Sequence, residues 1–194
     1  DTNANADTSA EPLAEHRTET YSMDYIRGRG NSTWGADKKP YKVKLDKKQN
    51  LFGMGKNKHW VLIADYYDPS HLRNKSTYWL GEKLGMPGTP QCVYVDVVMN
   101  GEYYGSYMLA EQIRPDKGNR VDIDEMTEAD IEGENLTGGY LIGMEPYEND
   151  NPEGKFSTSK GRFLINSPNF ADYTSSQAEE AKKIQKSYIR NYLR

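Results

Sequence analysis

Apolar and polar positions alternate most regularly at Tyr41, Val43 and Leu45, with Lys42 and Lys44 between them. That two-residue period predicts a strand with one face buried and two lysines on the other. Trp60-Val61-Leu62-Ile63-Ala64 is a short continuous apolar run, the pattern of a strand covered on both faces. The runs 93–99 and 102–110 flank Asn100-Gly101, a pair that supplies the positive φ angles a tight hairpin turn demands. Tyr140-Leu141-Ile142 and Phe163-Leu164-Ile165 predict two more strands, on either side of a polar excursion over 146–160 expected to be a mobile loop.

The period changes to that of a helix twice. Asp68-Pro69-Ser70 reads as a helix start, after which Leu72, Ser76, Trp79, Leu80 and Leu84 recur at helical spacing up to Gly85. Thr174-Ser175-Ser176-Gln177 has the character of a capping box and opens a last helix with Ala181, Ile184 and Tyr188 as its apolar stripe. No stop signal precedes Arg194, so more protein is expected beyond it. The first twenty residues hold no aromatic residue, Val or Ile, and read as a disordered leader. The pattern as a whole predicts an α+β fold: an antiparallel sheet of roughly five or six strands, one packed helix and a helix leading away.

Charge sharpens this picture. The net charge of -4 hides ten basic residues against two acidic ones over 27–58, and thirteen acidic against three basic over 111–153. A chain so balanced is a poor partner for nucleic acid, which needs a net basic face. A local basic patch suits a smaller anion instead. One cysteine excludes an intrachain disulfide framework and a multi-cysteine zinc site, and no apolar run is long enough to span a membrane. His16, His59 and His71 are scattered, and Cys92 has no partner histidine in the sequence and reads as core. Asp122 and Asp124 lie on one side of an extended segment but read as a solvated turn. Of the pairs Tyr66-Tyr67 and Tyr103-Tyr104, strand alternation places one of each in the core.

The densest chemistry lies at Ile26-Arg27-Gly28-Arg29-Gly30-Asn31-Ser32-Thr33-Trp34 and the lysine-bearing strand that follows. Glycines let a backbone turn sharply or approach a ligand closely. Arginine forks match phosphate oxygens. A glycine-bearing turn leading to a strand that presents lysines is one way to hold phosphates, although this turn is neither the kinase glycine loop nor a P-loop.

IRGRGNSTW, KKPYKVKLDKK, LFGMGKNKHWVLIADYYDPSHLRNK, NGEYYGSYMLAEQI and NRVDI occur here in one order. Together they resemble the CotH family, the spore-coat-protein-H-like atypical protein kinases, over roughly 21–165. The resemblance implies a protein-kinase-like small lobe over 21–112, after the leader at 1–20, and the start of an incomplete large lobe over 113–194. It implies ATP and Mg2+ as cofactors, and Ser/Thr phosphorylation of secreted or coat proteins at the bacterial cell or spore surface. By the same resemblance Arg27, Arg29 and Asn31 lie near the phosphates. Lys42 or Lys44 is the phosphate-contacting lysine, with Lys42, which follows Pro-Tyr, preferred. Arg73 and Asn74 open the helix that resembles the small lobe's regulatory helix. Glu111 ends the hairpin strand where a kinase chain passes to its large lobe, with its backbone set to meet adenine or its carboxylate to orient a lysine. Family members continue into a segment with catalytic and metal-holding aspartates that does not occur before Arg194, so no catalytic residue is assigned. The alternative is a non-catalytic extracellular module, pseudokinase-like, carbohydrate-binding or structural.

Overall fold

A computed structural model describes residues 18–144 and 151–194. Its first sheet has five antiparallel strands in the order β1-β2-β3-β5-β4, formed by β1 (Met23–Gly28), β2 (Tyr41–Asn50), β3 (Lys56–Ile63), β4 (Cys92–Met99) and β5 (Glu102–Glu111). Helix α1 (Arg73–Lys83) falls between β3 and β4. The second sheet has three antiparallel strands in the order β6-β8-β7, formed by β6 (Leu141–Gly143), β7 (Lys155–Thr158) and β8 (Gly161–Ser167). Helix α2 (Ala178–Tyr192) follows it. The architecture is α+β, with eight strands among the described residues.

Strand β3 is buried on both faces, as its apolar run requires. Trp60 and Leu62 join Leu45, Met54, Tyr107 and Leu109 on one face. Val61 joins Cys92, Met108 and Ala110 on the other, against which Ile63 and Tyr78 of α1 pack. Asn100 (φ 52) and Gly101 (φ 84) make the tight turn between β4 and β5, both in the left-handed region.

Several expectations are corrected. Helix α1 begins at Arg73, later than Asp68-Pro69-Ser70, because Asp68 first closes its own turn. Its Oδ1 accepts from the Ser70 hydroxyl at 2.6 Å, and its Oδ2 accepts from the Arg73 N–H at 2.9 Å. The apolar stripe of α1 faces outward: Leu72, Trp79, Leu80 and Leu84 are all more than half exposed, while Gly81 is buried and Tyr78 packs on the sheet. The part of the polar excursion that can be described is no loop, since Lys155–Thr158 pairs with β8; its residues 146–150 lie outside the described residues, as does the leader apart from 18–20. The capping box is absent. Glu128, from a distant segment, accepts the N–H groups of Thr174 and Ser175 instead. Neither tyrosine of either pair is core. Tyr66-Tyr67 lies in a turn, where strand alternation has no force, and Tyr103-Tyr104 stands at the outer end of the hairpin.

One end of the first sheet is held by a buried carboxylate. Glu111, 2% exposed, accepts from the Arg120 Nε at 2.7 Å and from the Gln91 backbone N–H at 2.8 Å. Arg120 also donates through Nη2 to the Met54 carbonyl at 3.4 Å. Removing one partner of such a pair leaves an uncompensated buried charge. Arg120→Met is therefore expected to lower unfolding free energy by about 3 kcal/mol, read as a lower urea midpoint. Arg120→Met combined with Glu111→Leu should recover part of that loss.

Candidate phosphate-binding site

Strand β1 lies beside β2 with Arg27 directly opposite Lys42, so the two side chains share a face. In the next pair, Lys42 lies opposite Val61. Val61 belongs to the face on which Tyr78 of α1 packs, so Arg27, Lys42 and α1 lie on one side of the sheet.

Arg29 follows β1, and its N–H donates to the Pro40 carbonyl at 3.2 Å. Burial pushes its guanidinium pKa below the usual arginine value, and the Tyr78 hydroxyl partly opposes that shift. No carboxylate among the described residues lies within ion-pair distance of Arg29. It is a partly buried cation held beside α1 without an acidic partner.

The turn 29–40 is built from aromatic supports. A Cβ at Gly28 would meet the Trp34 ring at 2.2 Å, so this glycine is needed to seat the indole. Gly30 adopts φ +84, and a Cβ there would meet the Thr33 Oγ1 at 2.1 Å. The Lys38 ammonium donates to the Ser106 carbonyl at 2.5 Å and lies 4.6 Å from the Tyr107 ring centroid. The Tyr107 hydroxyl donates to the Lys39 carbonyl at 2.9 Å, and the Tyr66 hydroxyl to Asp37 at 3.1 Å. Tyr66 and Tyr67 stand edge to face at 84°, so they brace the turn and form no flat platform.

The remaining expected residues divide. Lys44 is on the same face as Lys42 but is paired with Asp24 at 2.6 Å; that hydrogen bond raises the lysine pKa and lowers the aspartate's. Asn31 is exposed and opens the 3-10 turn Ser32–Gly35, its carbonyl accepting from the Trp34 N–H at 3.1 Å. Glu111 lies opposite Trp60, on the face away from Lys42, and its carboxylate orients Arg120 and no lysine. Arg73 and Asn74 do open α1, and the Asn74 amide donates to Asp65 at 2.5 Å.

Sequence reading passed over Lys38, Tyr78, Asp65 and Arg120. Asp65 has a signal only in three dimensions: it is buried at φ 48, with Oδ2 unpartnered. Asp122 accepts from the Gly118 N–H and Asp124 pairs with Lys117, so the two acids bond within their own loop. No group of three or more His, Cys, Asp or Glu side chains that could hold a metal occurs among the described residues. No helix among them is long and apolar enough to cross a membrane.

His59 lies next along β3 from Val61 on the lysine-bearing face, opposite Lys44, and its Nε2 is 2.9 Å from the Arg114 Nη1. A guanidinium can only donate, so the imidazole accepts there and is neutral. Burial first, then Arg114, moves its pKa from 6.5 to about 4. Between those values the unfolded chain binds the extra proton, so stability is complete above pH 6.5 and falls toward pH 4. The melting temperature should decline across that window, and His59→Gln, which keeps an acceptor for Arg114, should make the decline shallower. An unchanged slope would remove His59 from this role.

No curated protein matches the chain. The family described as CotH kinase protein matches residues 26–194, which takes in both sheets apart from the first half of β1, together with the arginine-bearing turn and the lysine-bearing strand. Matched over most of its length, the chain belongs to the CotH kinase protein family.

Proposed function

We propose that this chain contributes the phosphate-holding part of an ATP-dependent transferase acting on Ser or Thr of secreted or surface proteins. The observation that carries the reading is Arg29, a partly buried guanidinium with no acidic partner among the described residues, on the side of the sheet shared by Arg27 and Lys42. A desolvated cation left without a counter-ion is costly, and a phosphate oxygen supplies the charge and the planar hydrogen-bond geometry that a guanidinium matches. Arg27 and Lys42, cross-strand neighbours, add two more cations within reach of the same polyanion. Lys42 is preferred to Lys44 because it lies directly opposite Arg27 in the β1–β2 register.

The turn 29–40 needs little reorganisation to do this. Trp34 on Gly28, Lys38 on Ser106 and Tyr107 on Lys39 hold its backbone in place before any ligand arrives. Preorganised donors of this kind bind without the entropic cost of ordering a loop. A magnesium ion bound with the nucleotide would add charge neutralisation at the phosphates. No step here runs through it, since the described residues offer no assembled ligand set. Nucleotide bound without any transfer would assign the chain to the non-catalytic class of module.

Calorimetry with ATP and magnesium tests the reading. Hydrogen bonds to charged groups are worth about 1.5–3 kcal/mol, so Arg29→Ala is expected to weaken ATP roughly 10- to 100-fold. Lys42→Ala should weaken it more than Lys44→Ala does. Equal affinity in wild type and Arg29→Ala would defeat the assignment.

A further inference from the structure

The first sheet ends on β4, which pairs with β5 on one side and with no strand among the described residues on the other. The register fixes which of its backbone groups face outward. The Glu111 N–H donates to the Gln91 carbonyl at 3.2 Å, so Gln91 turns its backbone toward β5. By the antiparallel alternation Cys92, Tyr94 and Asp96 turn theirs away. The register shift at Val97 and Val98 comes from Tyr104, the extra residue on β5, and leaves β4 regular. Met99 and Glu102 close the two-residue turn as a bonded pair, so Val98 again faces out. The Lys75 ammonium occupies the outward Cys92 carbonyl at 2.6 Å. The outward N–H and carbonyl groups of Tyr94, Asp96 and Val98 have no partner among the described residues.

Edge strands are ordinarily kept from pairing with other chains by shortness, by Lys or Pro, or by a bulge in the edge itself. β4 is eight residues long, holds neither Lys nor Pro, and includes four valines and a tyrosine. Its Val93, Val95 and Val97 pack on the core of the first sheet. On its other face Tyr94 is 40% and Val98 62% exposed, with exposed Asp96 between them. Asp96 accepts from the Tyr103 hydroxyl at 3.0 Å and has no ion-pair partner among the described residues. Strands β4 and β5 together carry Asp96, Glu102 and Glu111 and no Lys or Arg. Lys38 reaches the Ser106 carbonyl, but on the side of β5 away from β4.

We infer that β4 takes up an extended segment of a partner protein as a sixth strand over residues 94–98. The segment places a Lys or Arg directly opposite Asp96 and apolar residues two positions to either side, against Tyr94 and Val98. Backbone bonds along the edge supply affinity, and the side chains facing Tyr94, Asp96 and Val98 supply selectivity. The charge also disfavours a second copy of this chain. Antiparallel pairing of two β4 strands through all three outward residues sets Asp96 against Asp96, and like charges directly opposite destabilise a ladder. A cation in that place is favoured for the same reason. The edge shares no residue with the nucleotide reading and is independent of it.

Fluorescence anisotropy of a labelled Thr-Val-Thr-Lys-Thr-Val-Thr peptide, titrated with the whole chain, tests the inference. A saturable rise is expected, and the peptide with Lys replaced by Glu should bind roughly five- to tenfold less tightly. Asp96→Lys should reverse that order. N-methylation of the peptide's Lys amide, which points at β4, should abolish binding, whereas N-methylation of the next Thr amide, which points away, should leave it in place. Val98→Pro removes an outward N–H that no strand bond uses, so it should weaken the peptide at least tenfold with melting temperature and ATP affinity unchanged. No saturation at millimolar peptide, equal binding of the Lys and Glu peptides, or indifference to both the Lys N-methylation and Val98→Pro would overturn it. Slow hydrogen exchange of the Tyr94, Asp96 and Val98 amides in the chain alone would also overturn it, because the edge would then already be covered.

Discussion

A single buried carboxylate decides how the first sheet ends. Glu111 closes β5, takes the N–H of Gln91 at the mouth of β4, and fixes Arg120 from the segment that follows. Arg120 in turn reaches the Met54 carbonyl in the turn between β2 and β3. Three chain segments that are far apart in sequence are thereby tied to one charge. Such an ion cannot be left unpaired in a nearly dry site, so the contacts stand or fall together. Its other oxygen, Oε1, has no partner, which makes the arrangement strained in solvation terms as well as specific.

At the arginine-bearing turn the constraint is steric. Glycine at position 28 suggests a backbone laid bare for a ligand, but the space above it is filled by Trp34. The glycine serves the turn's rigidity, and the cations beside it stand ready because the backbone is fixed. Lys38 is spent on this bracing, as its bond to Ser106 and its place over Tyr107 show. Lysines in one short basic run thus do different work: Lys38 and Lys39 fasten the turn, and Lys44 is neutralised by Asp24.

What could be read from the sequence was what local rules govern. Asn100-Gly101 has one preferred backbone geometry, and Trp60 to Ile63 has no face that tolerates water, so the hairpin and the two-sided strand were both legible. Arg27 and Lys42 could be named from residue type, and the register β1 takes on β2 brings them together. Features set by distant contacts were not legible. Helical spacing says which α1 residues share a face but not which way that face turns, and it turns outward. Gln185, not singled out in the sequence, is fully buried in α2, donating to the Thr127 and Asp130 carbonyls and accepting from the Tyr173 hydroxyl. Glu111 was singled out for the site, and the parity of β5 against β3 puts its side chain on the far face from Lys42.

The acidic and basic runs raise the question of why they do not simply cancel. Much of the acidic side chemistry between 122 and 130 is occupied close by or by the second sheet's neighbourhood. Asp130 accepts from the Thr127 N–H and hydroxyl, Glu125 from the Ser167 hydroxyl, and Glu128 from the N–H groups ahead of α2. A carboxylate held by backbone N–H groups gains hydrogen bonds as well as charge stabilisation, and the Glu128 pKa is lowered as a result, chiefly through Ser175. Acids committed in this way have no reason to reach across to a lysine strand, where an exposed ion pair is worth at most about 1 kcal/mol. Lys48 of β2 is paired to this side, through Asp116 at 2.7 Å. The overall charge is therefore a poor guide to local potential: these acids are spent on holding loops, and Arg29, beside α1, has no acidic partner among the described residues.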